Sequence, residues 1–420
     1  MADLISNTSA LRELLRQSVE RLQANPKLLV NWARGKAQVE EINKRGFSVA
    51  LDYDRNNSIG YPNPNGGAFV TPDMTTFDKL TCNYQYLQTG ARVNYESHLQ
   101  SAGALVSAKV EAMNKIAKAI VEWEEFYLCQ GDGTQKIASI PTGTTSATQT
   151  CNGANDGIGA YFLRVGQTVR IYDSTGVTLR GTKTILSKTS NNVIVLDSSI
   201  ATSNGDIIVP EGTVAPTNAV KGLPYIYALT GAYFNLNKTT NPNLKPIADN
   251  ASAALSATKI LYNWKALQLR SGTNPNVVIA VPPAQMAYYY TLFRGISTDV
   301  TRANYNGDTR PQGDLGLASM EFTWFGMPMK EFNNLLPNVF LFLPVDKLCK
   351  AELKGRGAVD LPAGDWIQTV SNAGEGYLMS VDKYYDNAIE YFTPAPHMFG
   401  GLTNLTWSGL PVLSNDTYVG

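Results

Sequence analysis

Histidine is nearly absent: His98 and His397 are the only two in 420 residues. That removes most of the usual acid–base and metal-ligating vocabulary. His98 falls in the first turn of an expected helix, where a neutral polar cap is the ordinary reading. His397 sits in the stiff segment Thr393-Pro394-Ala395-Pro396-His397. Cysteine is almost as sparse. Cys82, Cys129, Cys151 and Cys349 are scattered, with no C-x-x-C pair and no histidine beside them. They read as reduced, buried thiols and not as a disulfide or metal framework. No G-x-S-x-G elbow, H-E-x-x-H helix or G-x-x-x-x-G-K-[ST] loop occurs. No catalytic residue, cofactor site or metal site is assigned.

Charge is thin as well. Only 17% of residues are charged, and 35 Lys/Arg balance 35 Asp/Glu. A free monomer usually keeps some net charge for solubility, whereas a protein soluble within an assembly need not. There is no basic tract of the kind that grips a polyanion. Residues Met1–Gly46 are mildly basic, eight Lys/Arg against five Asp/Glu, as a solvated helix face is. The longest apolar run, Val339–Leu343, is too short to span a bilayer and is closed by Pro344. The start Met1-Ala2-Asp3-Leu4-Ile5-Ser6 lacks a basic region followed by an apolar core, so no secretory signal is expected. The sequons at Asn237 and Asn404 then carry no glycosylation meaning.

What is present is one long helix. No proline lies between Pro72 and Pro141. From Ser97 to Gln130, the residues Leu99, Ala102, Val106, Val110, Met113, Ala117, Ile120, Trp123 and Tyr127 recur at steps of three and four. Gly131-Asp132-Gly133 supplies the stop; a helix C-terminus repels anions, so this glycine pair is a cap and not a phosphate cradle. At 1.5 Å per residue the helix would run about 50 Å, a rod on which a broad, thin protein is laid.

Around it the pattern changes repeatedly. Ser9–Asn25 and Lys27–Lys44 read as helices. Phe47, Val49, Leu51 and Tyr53 then alternate with polar residues, and the chain returns through Leu80, Cys82, Tyr84 and Tyr86 after a turn-rich tip. This is a projecting β-arm. Its apolar face (Phe47, Val49, Leu51, Tyr53, Tyr84 and Tyr86) lacks an evident partner in its own chain once the limbs pair, which makes it the candidate self-assembly surface. Asp52 and Asp54 share a strand face and read as solvated charges. Thr142–Asn155 is linker-like, and short strands between tight turns follow to about Pro210, giving a small antiparallel barrel or sandwich with internal contacts from Ala147 to Pro216. The C-terminal half reads as α/β. It has a helix over Ala253–Ser271, a buried strand Val277–Val281, a helix through Ala284–Phe293, strands at Phe322–Phe332 and Val339–Leu343, and one long strand or hairpin at Tyr377–Phe392. Tyr288-Tyr289-Tyr290 could stack a sugar or pack an interface.

This order of parts resembles the major capsid protein of tailed bacteriophages, the Hong Kong 97-type fold. The helix end Glu124-Glu125-Phe126-Tyr127-Leu128-Cys129-Gln130-Gly131-Asp132-Gly133-Thr134 is similar to that family's spine-to-loop junction. Leu163–Ser174, Arg180-Gly181-Thr182 and Gly205-Asp206-Ile207-Ile208 resemble a β-module that such proteins insert. Gly222-Leu223-Pro224-Tyr225 resembles the return to the main fold. The resemblance implies an α+β chain divided into a helical N-terminal arm (1–45), an extended β-loop (46–96), a spine helix and peripheral domain (97–146), an inserted β-module (147–216), a peripheral return (217–245), an axial domain (246–365) and a peripheral strand with C-terminal segment (366–420). It implies a non-enzymatic subunit that assembles with itself into the pentamers and hexamers of an icosahedral head. That head would enclose double-stranded DNA, with scaffold, portal and decoration proteins as further partners and no membrane. The location would be the virion, assembled in the host cytoplasm. Some relatives weld subunits through a β-loop lysine; Lys79, on the return limb, is poorly placed for this, and no weld is expected. With about 45 residues ahead of the β-loop, no cleaved pro-segment is expected either. The rival readings are an encapsulin-like compartment shell and, in another class, a carbohydrate-binding or adhesive surface protein.

Overall fold

The structure is a computed structural model. It describes residues 28–33, 39–43, 45–51, 79–94, 104–153, 159–160, 162–190, 192–213, 216–271, 276–293, 322–324, 327–353, 357–358, 367–370 and 378–406. Helix α1 runs Ala104–Gln130, 27 residues or about 40 Å; residues 97–103 of the expected helix lie outside the described set. Ala117, Ile120 and Tyr127 of the expected stripe are buried, as is Ile116 beside it, and Glu122 is exposed. From Glu124 to Gly131 every residue is buried, so the amphipathic pattern gives way to a last turn and a half packed on all sides. At the stop, Gly131 N–H donates to Tyr127 O at 2.8 Å. A Cβ on Gly131 would lie 2.3 Å from that oxygen and 2.7 Å from Val220 O. Gly131 is therefore required for close approach, and the left-handed residue is Gly133, at φ +92°.

Of the two readings of Tyr377–Phe392, a long strand or a hairpin, the strand is the one found: Leu378–Phe392 is one 15-residue element. It pairs antiparallel with Gln85–Asn94 and also with Cys349–Glu352, Gly357–Ala358 and Ile367–Val370, making a five-stranded sheet. A smaller antiparallel sheet joins Glu40–Asn43, Gly46–Ala50 and Lys79–Asn83. This corrects the helix expected over Lys27–Lys44. Among its described residues Leu29–Trp32 is a 3-10 turn and Glu40–Asn43 is a strand. Helix propensity is a weak prior that tertiary pairing overrides. Here Glu40 meets Ser48 across the ladder, and its carboxylate meets Lys79 Nζ at 3.3 Å. The helix expected over Ser9–Asn25 lies outside the described residues.

After α1, seven antiparallel strands form one ordered path: Thr145–Thr150, Val193–Ala201, Leu179–Ser190, Thr168–Tyr172, Ile207–Pro210, Ala138–Ser139 and Asn152–Gly153. Not all of these strands are short: Leu179–Ser190 is one continuous 12-residue strand. The sheet starts earlier than the expected Ala147 boundary, which cuts through Thr145–Thr150. The linker-like stretch holds this strand in place through buried Gln149, whose Nε2 donates to Ser146 O and whose Oε1 accepts from Thr144 and Thr202 hydroxyls. Nor are the sheet's contacts internal. Its Val169, Ile171, Ile194 and Ile208 belong to the same core as Phe126, Tyr127 and Phe392. Phe162 meets Phe126 edge-on at 4.6 Å, and Arg164 pairs with Glu122 of α1 at 2.6 Å.

Helix α2 (Leu223–Tyr227) leads to a separate core. There a six-stranded mixed sheet runs in the order Ile247–Asn250, Gly400–Thr403, Phe340–Pro344, Val277–Val281, Met327–Glu331, Phe322–Trp324. Helix α3 (Ala257–Ser271) packs Ile260, Trp264 and Leu267 onto it, and helix α4 (Pro283–Phe293) packs Met286 and Tyr289. Tyr289 is therefore a core residue and not a stacking platform. Gly400–Thr403 lies inside this six-stranded sheet, whereas Cys349–Glu352 pairs into the five-stranded one.

Candidate assembly surface

The candidate β-arm residues do not stay together. Phe47, Val49, Leu51 and Tyr84 are all buried within their own chain. The Phe47 ring lies 4.9 Å from Tyr84 and 5.2 Å from Phe392 of the 15-residue strand. The expectation that this face lacks an intrachain partner is thus corrected. A two-stranded ribbon would have left it bare, but here it packs into a core shared with Phe392 of the five-stranded sheet. Among the described candidates only Tyr86 remains on the surface, 46% exposed. It lines a cavity of about 460 Å³ with Leu87, Tyr127, Pro210 and Ala219, where the five-stranded sheet, α1 and the seven-stranded sheet meet. Tyr53, Asp52, Asp54 and His98 lie outside the described residues.

What sequence reasoning missed is a set of buried ionisable groups around the end of α1. Glu124 Oε1 accepts from Lys350 Nζ and from Tyr391 Oη, each at 2.6 Å. Burial works against the Lys350 charge, but Glu124 and Glu352 hold its pKa above the ordinary lysine value. Glu125 accepts from the backbone N–H groups of Leu29 and Val30, both at 2.8 Å, and so ties the N-terminal segment to the helix. Burial raises the Glu125 pKa in spite of those bonds. Glu390 accepts from Lys221 N–H at 2.8 Å, and burial pushes its pKa up to about 8. Lys238 Nζ donates to three carbonyls, of Tyr225, Ile226 and Ala228, and burial draws its pKa down to about 7.

A signal for the first pair existed. Acidic residues in the last turns of a helix oppose its dipole, so Glu124-Glu125 at that position called for a partner. These groups hold elements in register, and Glu125 also accepts from the Cys129 thiol at 3.5 Å. Among the described residues no cluster of His, Cys, Asp and Glu could hold a metal ion, and no helix is long and apolar enough to cross a membrane. All four cysteines are buried and unpaired with one another.

Large apolar side chains do reach the surface elsewhere: Tyr262 and Leu269 on α3, and Val177, Leu179 and Leu186 on the seven-stranded sheet. No family model and no curated relative matches the chain in sequence. Solved structures do match in shape. A chain of the cyanophage A-1(L) capsid asymmetric unit aligns over 89% of this chain and 91% of its own, at 13% identity and a TM-score of 0.50. The fold is that of a phage capsid chain. Looser matches are the capsid of the native GTA particle (13% identity, TM-score 0.41, covering 90% of each chain) and the virus-like particle from Pyrococcus furiosus (9% identity, TM-score 0.38, covering 95% of this chain and 100% of that one).

Proposed function

We propose that this chain is the major shell protein of a tailed-phage head, a structural subunit and not an enzyme. The observation that carries this reading is the fold shared with the cyanophage A-1(L) capsid chain over about nine-tenths of both molecules. The order of parts supports the Hong Kong 97-type assignment. Helix α1 serves as spine, the five-stranded sheet as peripheral domain and the six-stranded sheet as axial domain, with residues 46–96 as β-loop. The seven-stranded sheet at 138–210 is the inserted module, braced on the spine through Phe162 and Arg164. In this reading copies of the chain assemble into pentamers and hexamers of an icosahedral shell. The shell takes up double-stranded DNA without sequence specificity, in the host cytoplasm, with scaffold, portal and decoration proteins as further partners. Of the described β-loop candidates, Tyr86 is the one left to meet a neighbour.

Sedimentation velocity and negative-stain imaging of the purified full chain test the proposal. Capsomers or closed particles are the expected outcome. A monodisperse monomer at every salt and protein concentration would overturn it.

A further inference from the structure

Strand Lys79–Asn83 ends the three-stranded sheet, and among the described strands it has no neighbour on its outer side. An open edge of this kind offers a row of N–H and C=O groups on which an extended chain can pair. Here two of those groups are taken by one side chain. The Thr81 N–H donates to Asn235 Oδ1 at 2.8 Å, and Asn235 Nδ2 donates to Lys79 O at 3.0 Å. A backbone N–H can only donate and a carbonyl only accept, so the amide fits in one orientation. A carbonyl and the N–H two residues further on are also the pair that a parallel neighbouring strand would bind.

The position of Asn235 is fixed by a strained turn. It is the second of two loop residues between the short strands Ala232–Tyr233 and Leu236–Asn237. Phe234, the first, stands at φ +55°, a left-handed backbone in which a bulky side chain is an outlier. Such strain persists only where the surroundings over-determine it. They do so here. The Phe234 N–H donates to Tyr225 Oη at 2.7 Å, and Lys221 Nζ lies 4.6 Å from the centre of the Phe234 ring. That ring also meets Tyr225 and Tyr233 edge-on, at 5.5 and 5.2 Å.

We propose that the Tyr233–Leu236 hairpin is an edge guard. Asn235 fills the place of a fourth strand and keeps an extended segment of another chain from adding to Lys79–Asn83. The guard works within one subunit, so the inference stands apart from the shell reading.

Asn235 is exposed, and Asn235→Ala removes both bonds without opening a core. In the dissociated full chain, amide hydrogen exchange at Thr81 should become roughly tenfold faster or more in this variant, with exchange in α1 unchanged. The variant should also form thioflavin-T-positive aggregates at concentrations where the wild type forms none, and negative stain separates these from closed particles. If Asn235→Ala fails to fold, Asn235→Ser, which is too short to bridge both groups, takes its place with the same expected outcomes. Thr81 exchange as slow as in the wild type overturns the proposal, because something other than this amide then covers the edge. Fast exchange without thioflavin-positive aggregates overturns it as well, since Asn235 would then only tie two segments together.

Discussion

Glu124 and Lys350 form an ion pair at 2.6 Å in the interior, joining the last turns of α1 to the peripheral sheet, with Tyr391 as a second donor to the same oxygen. Removing one partner leaves a buried charge without compensation. Lys350→Met should therefore cost about 3–5 kcal/mol of stability, and Glu124→Gln/Lys350→Met should recover much of it. Urea denaturation of the three chains checks this. Equal losses in the single and double variants would show that the pair is not the reason.

Glu390 and Lys238 give opposite pH dependences. The folded pKa of Glu390 is raised from 4.5 to about 8. Its contribution is therefore fully present below 4.5 and is lost as pH rises through about 8. Lys238 is lowered from 10.5 to about 7. Between those values the unfolded chain holds more protons, so this contribution grows with pH. Glu390→Gln should flatten the first slope and Lys238→Met the second, each by several kcal/mol across its window at roughly 1.4 kcal/mol per pKa unit. Stability measured from pH 4.5 to 10.5 in the three chains decides. A slope unchanged by its own substitution refutes that assignment.

Glu125→Ala removes the acceptor for two buried N–H groups, those of Leu29 and Val30. Each unsatisfied group costs about 1–3 kcal/mol, which is enough to loosen the N-terminal segment without unfolding the rest. Limited proteolysis near residues 28–33 should accelerate, whereas Glu125→Gln should protect at least partly.

Phe47 and Tyr86 separate folding from assembly. Phe47→Ala opens a cavity beside Phe392 and should cost about 3–5 kcal/mol in the subunit itself. Tyr86→Asp should leave subunit stability within about 0.5 kcal/mol and lower particle yield. Normal yield from Tyr86→Asp would remove this residue from the contact.

The end of α1 was legible because a 3.6-residue period met a glycine pair, and the long peripheral strand because fifteen residues alternate. The partner of Phe47 was not. Alternation shows that a face is apolar but not what covers it, and the cover here comes from Phe392, at the far end of the sequence. The strand at Glu40–Asn43 was hidden for the same reason, since its helical composition yields to a ladder that only the folded chain supplies. Glu124 and Glu125 were misplaced charges whose remedy lay in Lys350 and in the backbone at Leu29.

Gly400–Thr403 occupies the second position of the axial sheet, between Ile247–Asn250 and Phe340–Pro344. During synthesis those two flanking strands emerge first and have no ladder between them. Gly401 is tight enough that a Cβ there would meet Phe340 O and Leu341 at 2.9 Å, so a neighbouring strand with a side chain at that position does not fit without displacement. The six-stranded sheet is therefore closed by nearly the last described strand: a nascent or truncated chain has both flanking strands but an open slot between them, and the sheet becomes continuous only once residue 403 has been made.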